Sequence, residues 1–288
     1  MPIVLRRVQH LARTLSALLL LATFPNYSRA VAIHFDAVAP EIIQSRLQRF
    51  SGKNSQRQAT MKALFTEAGC PADHLGELPV QHAKEKNVVC TLPGKTDSII
   101  IVGGHYDYVY AGDGVVDNWS GASLLPSIFQ ALVTQPHEHT YVFIAFAGEE
   151  NGLLGSHTYA QSLTKEQSAR IHAMVNLDTL GLGPTEVWVT HSDRTLVQLL
   201  NRTAGAMKLP LSGVNADRVG DSDESSFRAL QIPCLMIHSL TQKKIGILHS
   251  PFDRYKEIKQ SEYYDTYRLL CGFLLYADQI LDRPPAHG

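Results

Sequence analysis

The stretch Tyr141–Ser156, YVFIAFAGEENGLLGS, decides how this chain is built. Tyr141 to Ala147 is an unbroken apolar run rich in aromatic and β-branched residues, too short for a typical helix and closed by Gly148. It reads as a buried central strand. Glu149 and Glu150 follow at once, where a strand of an open α/β sheet empties into its ligand crevice. Neighbouring residues at a strand end point in different directions, so one carboxylate can hold a metal ion while the other acts as a general base. Taken alone, a Glu-Glu pair is more often a solvated acidic turn that starts a helix.

Two more strands carry the same signature. Asp97 to Gly104 contains SIIIVGG and is followed by His105 and Asp107; Ala173 to Leu177, AMVNL, is followed by Asp178. Parallel neighbouring strands would bring these exits to one edge of a sheet. Asp107 is spaced to fix the tautomer and orientation of His105 if that histidine ligates a metal, and Gly103 and Gly104 let the backbone pass close to such a site. In Ala111–Leu125, AGDGVVDNWSGASLL, Asp113 reads as a turn residue. Asp117, at the junction between loop and helix, is the better ligand. Asn118-Trp119-Ser120 matches a glycosylation acceptor, but a glycan there would obstruct the proposed centre, so the match is taken as chance. Asp221-Ser222-Asp223-Glu224 reads as a capping cluster that opens a helix.

Helical spacing is seen over Ser55–Ala68, Leu153–Gln161, Asp193–Ala206 and Gln260–Leu281, with Thr164 placed to cap a helix running to Ile171. Strands are expected at Asn87–Leu92, Glu186–Thr190 and Ile232–Ile237.

A chain of 288 residues buries a sizeable core, and a net charge of -1 argues against nucleic-acid binding driven by bulk electrostatics. Arg6, Arg7 and Arg13 precede the apolar run Leu15–Phe24, with Ser28 and Ala30 as small residues beyond it. That is the layout of a signal peptide over residues 1–30, and the apolar run is shorter than the ~20 residues that cross a bilayer. Secretion or a periplasmic location is therefore expected, with no stable membrane anchor. Cys70, Cys90, Cys234 and Cys271 permit disulfides in such a compartment, but buried free thiols are as good a reading and the pairing stays open.

Together GGHYD, GDGVVDNWSGAS, AFAGEENGLLGS, VNLDTLG, SDESSF, IPCLMIHS and LHSPFD resemble the M28 family of zinc aminopeptidases, over nearly all of the chain beyond residue 30 and in the family's order. The resemblance implies an α/β fold, a single domain over 31–288 with a mixed, mainly parallel central sheet flanked by helices. It implies two zinc ions, with His105 and Asp178 on one, Glu150 and His249 on the other, and Asp117 bridging. Glu149 matches the general base, and Asp107 the carboxylate that orients the ligand histidine. Glu224 stands where the family has a histidine, which puts specificity near that loop in doubt. The implied activity is removal of the first residue from peptides with a free N-terminus, through a metal-activated water; a monomer is expected. The same fold allows a glutaminyl cyclase, and a third reading is a non-catalytic binding module. No ligand or base of the motif set is missing.

Overall fold

The computed structural model describes residues 18–20, 31–215 and 220–281. The expected signal peptide lies outside the described residues except for Leu18–Leu20, strand β1, which pairs antiparallel with β2, Val31–Ile33. Two helices follow, α1 (Pro40–Leu47) and α2 (Asn54–Glu67), then strands β3 (Leu75–Leu78), β4 (Asn87–Leu92) and β5 (Ile99–His105). Helix α3 (Ser120–Leu132) leads to β6 (Thr140–Phe146), and α4 (Leu154–Ser162) and α5 (Lys165–Ala169) lead to β7 (Ile171–Leu177). The remainder is β8 (Thr185–Trp188), α6 (Arg194–Met207), β9 (Leu211–Val214), α7 (Glu224–Arg228), β10 (Cys234–His238) and α8 (Gln260–Leu281).

Eight strands form one sheet in the order β3-β4-β6-β5-β7-β10-β8-β9. Its middle, β6-β5-β7-β10, is parallel throughout, whereas β4 runs antiparallel to β6 and β8 antiparallel to β10. The middle strands are buried nearly end to end, as their continuous apolar runs require of a sheet covered on both faces. One face packs Leu125 and Ile128 of α3 and Leu270 and Phe273 of α8 over Tyr141 and Phe143. The other packs Phe227 over Ile144, Phe146 and Met174, with Tyr159 of α4 against them.

Residues 99–105 of β5 lie in register with 140–146 of β6, and Gly103 of β5 lies opposite Asn176 of β7. The His105, Glu149 and Asp178 exits therefore emerge side by side at one sheet edge. Gly104 has a structural reason: a Cβ there would stand 2.7 Å from the Leu177 carbonyl oxygen of the neighbouring strand.

Helix ends follow their side chains. Thr164 and Gln167 form a reciprocal capping box at α5, and Asp193 accepts from the Thr195 and Leu196 N–H groups at α6. The acidic cluster differs from expectation: α7 is five residues long, Asp223 at its N-cap makes no side-chain capping bond, and Glu224 is fully buried. Its carboxylate instead accepts from Asn176 Nδ2 at 3.0 Å and meets His191 Nδ1 at 2.7 Å. The strand expected to reach Thr190 stops at Trp188, because Val189–His191 turn into a 3-10 helix that places His191 beside Glu224. Cys70 and Cys90 are joined as a disulfide between the end of α2 and β4, while Cys234 and Cys271 are buried free thiols.

Candidate metal centre

His105 is the last residue of β5 and is 1% exposed. Its Nε2 faces Asp117 Oδ1 at 3.3 Å, Asp178 Oδ1 at 3.7 Å and Glu149 Oε2 at 3.9 Å. Beside it, His249 Nε2 lies 3.0 Å from Glu150 Oε2 and 3.3 Å from Asp117 Oδ2. His105, Asp117 and Asp178 form one group with potential ligand atoms within 4.8 Å of one another, Asp117, Glu150 and His249 form a second, and His105, Glu149 and Glu150 form a third that overlaps both. Asp117 belongs to the first two and offers a different oxygen to each. The five residues read as ligands from the sequence are thus brought together, with Glu149 at their border.

His105 Nε2 and Glu150 Oε1 are buried and have no hydrogen-bond partner among the described residues. Unpaired buried donors and acceptors are unfavourable, and so is a cluster of four carboxylates around two imidazoles without a compensating cation. Two imidazole nitrogens and several carboxylate oxygens are a donor set that zinc accepts. On both counts the residues fit the metal.

The charge environment has the same sense. Burial alone would lower the His105 pKa, yet Glu149 and the neighbouring Asp107, Asp117 and Asp178 carboxylates hold it well above the ordinary histidine value. Hydrogen bonding to Asp117, against partial burial, lifts His249 to about 9. Burial, reinforced by Asp117, pushes Glu150 up to about 7, and burial raises Glu149 well above the usual carboxylate range. Asp117 is the exception: despite burial, the two histidines facing it keep its pKa low.

Asp107 sits beside His105 but acts differently from the expectation. The Nδ1 of His105 is 3.2 Å from the main-chain carbonyl oxygen of Asp107 and 3.7 Å from its Oδ1, so the hydrogen bond goes to the carbonyl. Nδ1–H donation there leaves Nε2 with its lone pair facing the carboxylates. The Asp107 carboxylate instead accepts the Glu149 N–H at 3.1 Å and the Glu150 N–H at 3.2 Å, holding the turn that presents both glutamates.

Two supports were not legible as site residues. Asp253, within the LHSPFD stretch, accepts from the N–H groups of Val115, Val116 and Asp117 at 2.8, 2.7 and 3.0 Å, fixing the loop that carries Asp117. Burial raises its pKa to about 6 against the pull of those donors. Arg57, fully buried, donates to the carbonyls of Tyr106, Asp113 and Gly114, with the Tyr108 ring 4.2 Å from its Cζ. Asp113 itself meets Arg57 only through its carbonyl and belongs to none of the three ligand groups. Asn118 is fully buried, donates to the Leu177 carbonyl and accepts from the Gly121 and Thr179 N–H groups, so its side chain is unavailable to a glycan in this fold. The Asp117–Asn118 peptide bond is cis.

The model of peptidase family M28 matches residues 87–274, from β4 into α8, which takes in every residue of the cluster. Aminopeptidase YwaD of Bacillus subtilis is 33% identical over 149 residues, covering 50% of this chain and 31% of the relative. Leupeptin-inactivating enzyme 1 of Streptomyces exfoliatus is 28% identical over 151 residues, covering 51% and 34%. These matches span only about a third of the relatives' own length. Among solved structures, the LapA aminopeptidase of Legionella pneumophila superposes with a TM-score of 0.71 at 19% identity, covering 84% of this chain and 71% of that one. A glutaminyl cyclase from an Acidobacteriales bacterium gives 0.70 at 16% identity, covering 85% and 96%. At these identities both likenesses concern the fold.

Proposed function

The chain belongs to peptidase family M28, and from that premise we propose that it is an exported zinc aminopeptidase that removes the first residue from peptides with a free N-terminus. The observation that carries the reading is the pair of three-residue groups sharing Asp117. His105 and Asp178 would hold one zinc, Glu150 and His249 the second, and Asp117 would join them. Bound zinc polarises a carbonyl and lowers the pKa of water from about 15.7 to about 7.

The chain's own residues supply the rest. Glu149, whose carboxyl is raised by burial, borders the cluster with Oε2 3.9 Å from His105 Nε2. It is placed to take a proton from water as general base and to give it to the leaving amine. The acidic rim of the cavity, with Asp178, Glu149 and Asp221 among its lining, favours a protonated amino terminus and so restricts cleavage to the first residue. Asp107 holds the Glu149–Glu150 turn through their N–H groups.

Export is supported by the basic and apolar layout of residues 1–30 and by the Cys70–Cys90 bridge, since disulfides persist in oxidising compartments. Among the described residues no helix is long and apolar enough to cross a membrane. We read residues 31–288 as one catalytic domain, working as a monomer without nucleic acid.

The test is zinc per chain on the purified protein, with chelator-sensitive assays on a leucyl and a glutaminyl substrate. Two zincs and leucine release are expected. One zinc with cyclisation of the glutaminyl substrate would move the chain to the cyclase reading. A zinc-free, inactive protein would leave a binding module.

A further inference from the structure

The cavity beside the metal cluster has one wall that the proposed reaction does not use. Trp188, Met236, Leu240 and Leu248 supply an apolar lining there, and His238 stands among them. His238 ends β10, in the pair Ile237↔Leu177 one residue beyond which β7 gives way to Asp178, so the imidazole is next door to the catalytic edge. It is 3% exposed.

The protonation of this ring follows from its contacts. The main-chain N–H of Leu240 donates to His238 Nδ1 at 3.0 Å. An N–H can be met only by a lone pair, so the ring proton of the neutral form is on Nε2. Glu186 Oε2, opposite in the antiparallel β8–β10 pair, lies 3.6 Å from Nδ1, beyond hydrogen-bond distance. Burial keeps the ring neutral by lowering its pKa to about 4. The Nε2–H then has no partner among the described residues. A buried donor without an acceptor is unfavourable unless something that enters the pocket supplies one.

We propose that His238 is a specificity residue: its Nε2–H receives a neutral carbonyl oxygen from the side chain of the substrate's first residue, so the pocket selects an amide side chain, glutamine or asparagine, over an aliphatic one. The inference rests on the aminopeptidase reading for which part of the substrate enters this pocket. The apolar walls accommodate the methylenes of such a side chain. A neutral donor among Asp178, Glu149 and Asp221 disfavours an acidic side chain, which would add a like charge. An aliphatic side chain leaves the donor unmet, and sites built around a hydrogen bond discriminate strongly against analogues that lack the partner.

Trp188 is held for this task. Its ring stacks on His191 with centroids 3.8 Å apart and stands edge-on to His238 at 6.4 Å. His191 is in turn fixed by Glu224, the residue that departs from the family pattern. Glu224 reaches Asp178 through Asn176 and Ser222, whose hydroxyl donates to Asp178 Oδ2 at 2.7 Å. The pocket wall and the ligand share one buried network.

The test reads binding, so it does not depend on turnover. Dissociation constants of L-glutamine hydroxamate and L-leucine hydroxamate are measured by calorimetry on the zinc-loaded protein, on His238→Leu and on His238→Gln, whose amide N–H₂ restores a donor. The wild type is expected to favour the glutamine compound, and the preference to fall about ten-fold or more in His238→Leu and to recover in His238→Gln, the size of effect set by one unmet buried donor. An unchanged ratio in His238→Leu, or a wild type that favours the leucine compound ten-fold, would overturn the assignment. Failure to release the first residue from either a glutaminyl or a leucyl amide, with the binding preference intact, sinks the peptidase reading while the His238 assignment stands on its binding data.

Discussion

Glu149 and Glu150 are adjacent in sequence and differ in what surrounds them. Glu150 pairs with His249 at 3.0 Å, whereas Glu149 stays 3.9 Å from His105 and free of a close partner cation. Replacing Glu149 by Gln should therefore leave zinc content near that of the wild type while lowering kcat by about 10²- to 10⁴-fold, the usual contribution of a positioned base. Near-normal turnover in the zinc-loaded variant would remove Glu149 from that role. The pair of raised pKa values sets the pH at which metal enters. His249 keeps its proton up to about 9 and Glu150 up to about 7 in the metal-free site, and both protons must leave before these groups can ligate. Raising the pH removes the competitors, so apparent zinc affinity should climb between pH ~6 and ~9 and flatten above, a window set higher than the ordinary histidine value of about 6.5. Equal affinities at the two ends of that range, by competitive zinc titration, would contradict the arrangement.

The strands that end in His105, Glu149 and Asp178 were legible because each is a short apolar run stopped by a glycine or a carboxylate, and burial on both faces demands such runs. Helix α8 was legible to its last residue for a similar reason, an unbroken apolar periodicity. Strands β3 and β9 were missed since each has only four residues, largely half-buried or exposed, and carries no pattern of its own. The loop before α3 was the least legible element. Asp117 sits there by virtue of Asp253, which lies 136 positions further along the chain, and no local spacing can announce such a cap. Asp253→Ala strands three buried N–H groups, so it should cost about 2–4 kcal/mol and lower the zinc bound. Urea denaturation and metal analysis on the variant check this; an unaltered midpoint with full zinc would show that Arg57 alone suffices to hold the loop.

Across the whole molecule, Cys70–Cys90 closes a loop of sequence separation 20 between the end of α2 and the sheet. Chain-entropy arguments give such a bridge about 3 kcal/mol. The double variant Cys70→Ala, Cys90→Ala should lose stability of that order, and thiol titration of the unfolded, unreduced wild type should find two thiols, from Cys234 and Cys271. Four would mean that the bridge does not form. Sequence reasoning stopped short here because spacing alone does not reveal which cysteines meet; only the antiparallel pairing of β3 with β4 beside α2 does. The largest consequence lies in how the ligands are distributed. His105, Asp117, Glu150, Asp178 and His249 come from five separate exits and loops, joined only when β6, β5 and β7 stand in register. An unfolded chain offers no such set of donors. Metal availability is then a denaturation variable like temperature: free zinc at 100 times the dissociation constant adds about 2.7 kcal/mol to the native state for one site. On the proposed zinc assignment the same polypeptide is a sturdier object in a zinc-replete medium than in a depleted one, so the ion would govern how long the folded chain survives as well as what it can do.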